Sequence, residues 1–172
     1  MIVYFTFQET PSSFIFKTQV TDVINYLRTE FQQEICLLSI IPAKNFFYNK
    51  KLIKMNYKGN SYVIPQIPIP KMFAWKINIL FVFGFILLCR PKIVICRNIF
   101  ASWMMLKTKT ILAGAKVVFD NRGLVSEEAR EYNVYPKHVT YNKLKRIEDY
   151  CVNHADQMMV ITEEMVEYYI KY

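Results

Sequence analysis

A parallel α/β sheet with helices on both faces, in a single domain over residues 1–172, is the architecture this sequence predicts, and three observations carry it. β-branched and aromatic runs such as IVYFTF at Ile2–Phe7, KIVIC at Lys92–Cys96 and KVVF at Lys116–Phe119 alternate with segments whose apolar residues recur every three or four positions. The first strand, helix and second strand follow at βαβ spacing, which calls for a parallel sheet and a right-handed crossover. At 172 residues, 53% hydrophobic, with 4 Gly and 7 Pro, the chain can bury a substantial core.

Taken in order, Ile2–Phe7 is a strand with no basic leader before it, so a secretory signal peptide is not expected. Gln8–Ser13 is a loop in which Ser12 or Ser13 can cap a helix with an apolar face of Phe16, Val20, Val23, Ile24, Leu27 and Phe31. Glu34–Ile41 is again strand-like. Pro42–Tyr57 reads as a helical surface segment rich in Lys and aromatics, and Ser61–Ile67 as a third strand stopped by Pro65, Pro68 and Pro70. Lys71–Arg90 contains a thirteen-residue uncharged run between Lys76 and Arg90, short of the roughly 20 residues a bilayer span needs. Met72–Cys89 is therefore expected to be a buried or interfacial crossover helix, with some entry into lipid left open. Lys92–Cys96 then forms a strand, Ile99–Leu112 a helix, and Gly114 a turn into Lys116–Phe119. Tyr141–Ala155 places Leu144, Ile147, Cys151 and His154 or Ala155 on one helical face. Gln157–Ile161 is a last strand, and Thr162 caps a helix whose Glu163 and Glu164 suit its positive end.

Composition bounds the chemistry. The first strand-to-helix loop, QETPSS, has no glycine, which argues against NAD or FAD, since a pyrophosphate needs a bare backbone there. Cys36, Cys89, Cys96 and Cys151 form no CxxC pair, and His138 and His154 stand in no metal-binding frame. Reduced core cysteines, no metal and a cytoplasmic location, with peripheral membrane contact left open, are the expectations. Net charge is +8, and between Ile35 and Phe119 there are thirteen Lys and Arg but no Asp or Glu. That asymmetry points to an anionic partner, either a membrane face or a nucleic acid; the basic and aromatic stretch at 46–54 lacks any nucleic-acid-binding motif, so no nucleic acid is expected.

The central motif is Lys116–Glu128, KVVFDNRGLVSEE. A strand delivers Asp120, Asn121, Arg122 and Gly123 at its carboxyl end, where open α/β sheets bind ligands, and Ser126, Glu127 and Glu128 open a helix. A polar turn, or an internal ion pair of Arg122 with Asp120 or Glu127, is the alternative. Arg97 and Asn98 form a second polar pair at a strand end.

These residues carry a resemblance. VVFDNRGLVSEE, then IEDYCVNHADQMMVIT, then EEMVEYY resembles the amino-terminal, Rossmann-like domain of retaining GT-B nucleotide-sugar glycosyltransferases of the family-four type. Asp120, Arg122, Gly123, Glu127, Glu128, Glu148, Ala155, Asp156 and Thr162 match its pattern in order, and Pro11 with Ile15–Val20 is similar to its first loop and helix. The resemblance implies half of a GT-B architecture, with the carboxyl-terminal donor-binding domain absent. It implies sugar transfer from a nucleotide sugar, a substrate rather than a cofactor, to a glycan or lipid-linked acceptor. Arg97 and Arg122 would be anion or hydroxyl ligands, Asp120, Glu127 and Glu128 sugar-hydroxyl or orienting groups, and Asn98, Gly123, Ser12 and Ser13 further substrate-binding positions. Ser12 and Ser13 stand where that family usually has glycine. The remaining alternatives are a noncatalytic truncated module or one subunit of a split transferase and, after these, a basic nucleic-acid-binding domain.

Overall fold

The computed structural model describes residues 1–67, 72–109, 114–132 and 141–171. Six strands, β1 (Ile2–Phe7), β2 (Ile35–Ile41), β3 (Ser61–Pro65), β4 (Ile93–Arg97), β5 (Lys116–Asp120) and β6 (Gln157–Met159), form one sheet in the order β3-β2-β1-β4-β5-β6. All five pairings are parallel, as the βαβ spacing requires. The connections carry α1 (Phe14–Phe16), a π-helix (Lys17–Thr21), α2 (Asp22–Phe31), α3 (Phe46–Asn56), a 3-10 helix (Met72–Asn78), α4 (Ile79–Cys89), α5 (Asn98–Lys109), α6 (Val125–Glu131), α7 (Tyr141–His154) and α8 (Glu163–Lys171).

Strand residues alternate between two cores. Val3, Phe5 and Phe7 share one with Val82, Met104 and Leu144 of the helices α4, α5 and α7, while Tyr4 shares the other with Phe16, Val20, Ile24 and Ile53. All seven β2 residues are buried, which is why the strand reads as a continuous apolar run rather than an alternating one.

Several boundaries differ from the sequence reading, each where a partner strand ends. β3 stops at Pro65, paired with Ile41 at the end of β2, and Pro65 sits on a sheet edge where its missing N–H is harmless. Pro68 and Pro70 lie outside the described residues, as does the predicted helix end at Leu112. β4 extends one residue, to Arg97, and β6 is confined to Gln157–Met159, because Met159 pairs with Asp120, the last residue of β5. Phe31 is 61% exposed, in the last turn before Gln32 adopts a left-handed φ of 50° and reverses the chain, so it does not belong to the buried face. His154 is likewise exposed, stacked on Tyr150 at 4.0 Å, and Ala155 takes the place against the core.

Among the described residues no helix is long and apolar enough to cross a membrane. The crossover α4 has 11 residues and buries Val82, Phe85 and Ile86 while leaving Leu80 and Leu88 at 62% and 87% exposure.

Asp156 closes the turn between α7 and β6. Its Oδ2 accepts from the Val117 amide at 2.6 Å and from Lys109 Nζ at 2.5 Å, and its own amide donates to the Val117 carbonyl. The Lys109 ammonium and the Val117 amide hold this carboxyl below its ordinary range. A carboxylate depressed in the folded state adds stability above its unfolded value, and that contribution disappears as pH falls through the folded value. Asp156→Asn is therefore expected to lower the melting temperature at neutral pH and to lose less stability than the parent chain below about pH 4, measured by thermal denaturation across pH.

Candidate functional site

The sheet order reverses direction between β1 and β4, and loops leaving these two strands diverge at their carboxyl ends. A crevice at such a switch point is where an open α/β sheet binds its ligand. Here it is a cleft of about 290 Å³ lined by Phe7, Gln8, Glu9, Asn98, Phe100, Val125, Glu128 and Ala129. Two carboxylates and two amides therefore surround an apolar floor.

Two rim residues hold left-handed backbone without being glycine: Gln8 at φ 60° and Asn98 at φ 71°. Asparagine tolerates this region because its short amide bonds locally. Asn98 Oδ1 accepts from the amides of Phe100 and Ala101, both at 3.0 Å, capping α5, and its Nδ2 donates to the Phe7 carbonyl at 3.1 Å. Gln8 is tied by its amide to the Ile40 carbonyl at 2.9 Å and by Nε2 to Gln66 Oε1 at 3.1 Å.

Arg97 stands directly behind this rim and is only 4% exposed. Its Nε donates to Glu9 Oε1 at 3.1 Å and its Nη2 to Gln19 Oε1 at 2.7 Å. The guanidinium thus holds Glu9 in the cleft wall, a different position from the ligand role the strand-end pattern suggests. Sequence reasoning missed Glu9. The available signal was that it is the first acidic residue of the chain and stands two residues after the end of β1.

Asp120 is also withdrawn. It is 1% exposed, accepts from the Tyr4 hydroxyl at 2.5 Å, and pairs with Arg122, whose Nε lies 2.7 Å from Oδ1 and whose Nη2 donates to Oδ2 at 3.1 Å. The internal ion pair weighed as an alternative for Arg122 is therefore present. Burial and the Asp120 charge push the Tyr4 phenol far above its usual range. Burial works against the Arg122 charge, but the Asp120 bond outweighs it and raises the guanidinium.

Gly123 and Glu128 belong together. A Cβ built on Gly123 would overlap Glu128 Oε1 and approach Cδ to 3.3 Å, so the bare backbone makes room for the carboxylate that reaches the cleft. Glu127 points away from the cleft. It accepts from the Tyr141 hydroxyl at 2.9 Å and the Tyr168 hydroxyl at 3.1 Å and pairs with Arg130 at 2.5 Å, joining α6 to α7 and α8. Ser13 caps α1 by accepting from the Phe16 amide at 3.0 Å, and with exposed Ser12 it lines a separate hollow beside Lys17 and Tyr48. The structure thus brings Asn98 and Glu128 to the cleft, sets Gly123 under Glu128, and keeps Asp120, Arg122 and Arg97 as internal pairs close by.

A second polar core lies beside it. Glu148 is fully buried, accepts from Ser126 Oγ and from the Tyr169 hydroxyl at 2.8 Å, and has Lys145 Nζ at 3.9 Å. Tyr169 in turn accepts from Asn121 Nδ2 at 2.6 Å. Burial raises the Glu148 carboxyl, and the Ser126 and Tyr169 bonds offset part of that rise.

The Tyr4 bond to a buried carboxylate gives a direct test. Removing a donor from such a charge costs about 2–3 kcal/mol, so Tyr4→Phe is expected to lower the melting temperature by about 5–10 °C for a chain of this size, read by calorimetry or circular dichroism.

No protein-family model matches the chain, and no curated protein sequence does. Its fold matches solved structures. A Listeria monocytogenes protein assigned as a UDP-N-acetylglucosamine 2-epimerase aligns with TM-score 0.69 and 10% identity, over 99% of this chain and 41% of that one. Staphylococcus aureus MnaA, solved with UDP, aligns at 0.64 and 12%, over 99% and 41%. A ugt transferase from Siraitia grosvenorii, also with UDP, aligns at 0.57 and 12%, over 99% and 47%. The chain spans about two fifths of the length of the first two structures. These structures have GT-B-like folds, and at such identities the likeness is one of fold: this domain is a Rossmann-like parallel α/β unit like half of a GT-B architecture.

Proposed function

We propose that the switch-point cleft is an acceptor pocket and that the chain is the acceptor-side half of a GT-B nucleotide-sugar glycosyltransferase of the retaining, family-four type. The observation that carries this reading is the cleft lining, in which Glu9 and Glu128 flank Phe7 and Phe100 with no cation among the lining residues. Carboxylates accept hydrogen bonds from sugar hydroxyls, and ring faces suit the apolar C–H surface of a pyranose. Stabilising a departing diphosphate needs cations. Arg97 and Arg122 are held by Glu9, Gln19 and Asp120, so those cations come from a nucleotide-sugar-binding domain facing the cleft, either continuous with this chain or separate.

In this arrangement Glu128 and Glu9 orient the acceptor hydroxyl, whose oxygen forms the new bond to the sugar while the bond from that sugar to the diphosphate breaks and the hydroxyl proton leaves on the departing diphosphate. Orientation of this kind replaces a bimolecular encounter by a prealigned one. Arg97 acts through Glu9 as a positioning residue.

A second reading has its own support, since the two higher TM-scores belong to a protein assigned as a UDP-N-acetylglucosamine 2-epimerase and to MnaA. It takes the chain as half of a UDP-sugar epimerase.

Saturation-transfer NMR with a panel of oligosaccharides, alongside calorimetry with UDP- and GDP-sugars, separates the two. The acceptor reading expects saccharide signals that weaken about tenfold in Glu9→Gln and in Glu128→Gln, with no saturable heat from nucleotide sugars. Gly123→Ala is expected to weaken saccharide binding by displacing Glu128, while the melting temperature stays within about 2 °C. Micromolar binding of UDP-sugars by this chain would sink the acceptor assignment.

A further inference from the structure

α3 turns Phe46, Asn49 and Ile53, spaced three and four residues apart, toward the core, where Asn49 and Ile53 are buried. The opposite side of the helix faces solvent, yet it is rich in large apolar groups. Phe47, Tyr48 and Met55 stand on it at 85%, 60% and 66% exposure. Lys51 and Lys54 lie between them and are exposed as well. α1 continues this surface. Phe14 and Ile15 are 78% and 55% exposed, and Phe14 and Lys17 share the walls of a hollow of about 330 Å³ with Tyr48 and Leu52 of α3.

Exposed apolar side chains gathered on one face and rimmed by polar groups mark a contact surface, and here the rim is cationic. Among the described residues Lys17, Lys44, Lys51 and Lys54 pair with no carboxylate. No Asp or Glu occurs between Ile35 and Phe119, so α3 and the loops at its ends carry no acid of their own. The adjoining α2 is tied to α3 by Asn25, whose Nδ2 donates to the Asn56 carbonyl at 2.9 Å, and its acids Asp22 and Glu30 do not line the hollow. A single-stranded nucleic acid calls for a groove that follows its backbone and for rings on which bases stack. The outer side of a helix is convex, and Ile15 and Met55 offer no ring. We propose that the surface formed by α3 and α1 docks on the anionic face of a lipid bilayer, with α3 lying in the plane of the interface. Phe14, Phe47 and Met55 enter the boundary between headgroups and acyl chains, and Tyr48 keeps its hydroxyl among the headgroups. The lysines run their apolar stems along the same layer and bring their ammonium groups to the lipid phosphates. The loop Gln8–Ser13 joins this surface to the cleft, since Glu9 lines the one and Ser13 the hollow of the other. The proposal stands apart from the acceptor assignment and needs no donor domain.

The 172-residue chain is sedimented with vesicles of phosphatidylcholine alone and of phosphatidylcholine mixed with phosphatidylglycerol. The expected result is partitioning onto the anionic vesicles at least about tenfold stronger than onto the neutral ones. Lys51→Glu/Lys54→Glu is expected to weaken that partitioning at least about tenfold, and Phe47→Ser/Met55→Ser at least about fivefold. The charge-matched Lys92→Glu/Lys116→Glu changes two exposed cations at the amino edge of the sheet and is expected to stay within about twofold. All four side chains changed on α3 are exposed, so the fold is retained, which circular dichroism checks, and Lys51→Gln/Lys54→Gln repeats the charge test if the glutamate pair melts early. Equal partitioning onto both vesicles, no partitioning onto either, or an equal loss in Lys92→Glu/Lys116→Glu overturns the proposal. Undiminished partitioning of Phe47→Ser/Met55→Ser overturns it too, because the apolar groups would then take no part. Saturable binding of a single-stranded oligonucleotide without vesicle binding assigns the surface to nucleic acid and overturns it as well.

Discussion

The hydrogen bond from Tyr4 to Asp120 reaches from β1 to β5 across the strand between them. A carboxylate with 1% exposure is tolerable only when its lone pairs are used. Tyr4 and Arg122 use those of Asp120, and on the neighbouring strand Arg97, the register partner of Asp120, uses Glu9 and Gln19. Two guanidinium groups and two carboxylates are thus satisfied mainly by one another at the carboxyl edge of the sheet. The loops after β1, β4 and β5 must all be in place for any of them to be. The cleft depends on this closed set of charges, because the loops that it fixes are the cleft's walls.

The same requirement explains what the sequence discloses and what it hides. Strand and helix order is legible because β-branched runs and 3.6-residue spacing are local properties of Ile2–Phe7, Lys116–Phe119 and the segments between them. The placing of Gly123 and Glu128 beside a crevice is legible because crevices in open α/β sheets form at the carboxyl ends of strands. The role of Arg97 is not, since an arginine at a strand end looks alike whether it faces solvent or is buried beside Gln19, seventy-eight positions earlier. Glu127 and Glu128 are neighbours in sequence, yet one joins three helices and the other meets the cleft. Only the docking of Tyr141 and Tyr168 separates them. Glu148 matches a family pattern in sequence, but its burial as a carboxyl satisfied by Ser126 and Tyr169 depends on tertiary placement.

That second polar core secures the last helix. Tyr168 and Tyr169, adjacent on α8, send their hydroxyls to different carboxylates, Glu127 on α6 and Glu148 on α7. A helix that buries only Met165 would otherwise have little apolar area to hold it. Hydrogen bonds to ionised groups supply the specificity that packing alone does not, and they couple α8 to the helix that carries Glu128.

The left-handed backbone at Gln8 and Asn98 restricts how the rim can change over evolutionary time. β-branched residues are strained at both positions, so genetic drift there is confined to a small alphabet of glycine and short or flexible polar residues. Change in the cleft lining is then channelled into Glu9, Phe100 and Ala129, where the backbone imposes no such filter. The side chains facing the cleft can change while its outline stays nearly fixed.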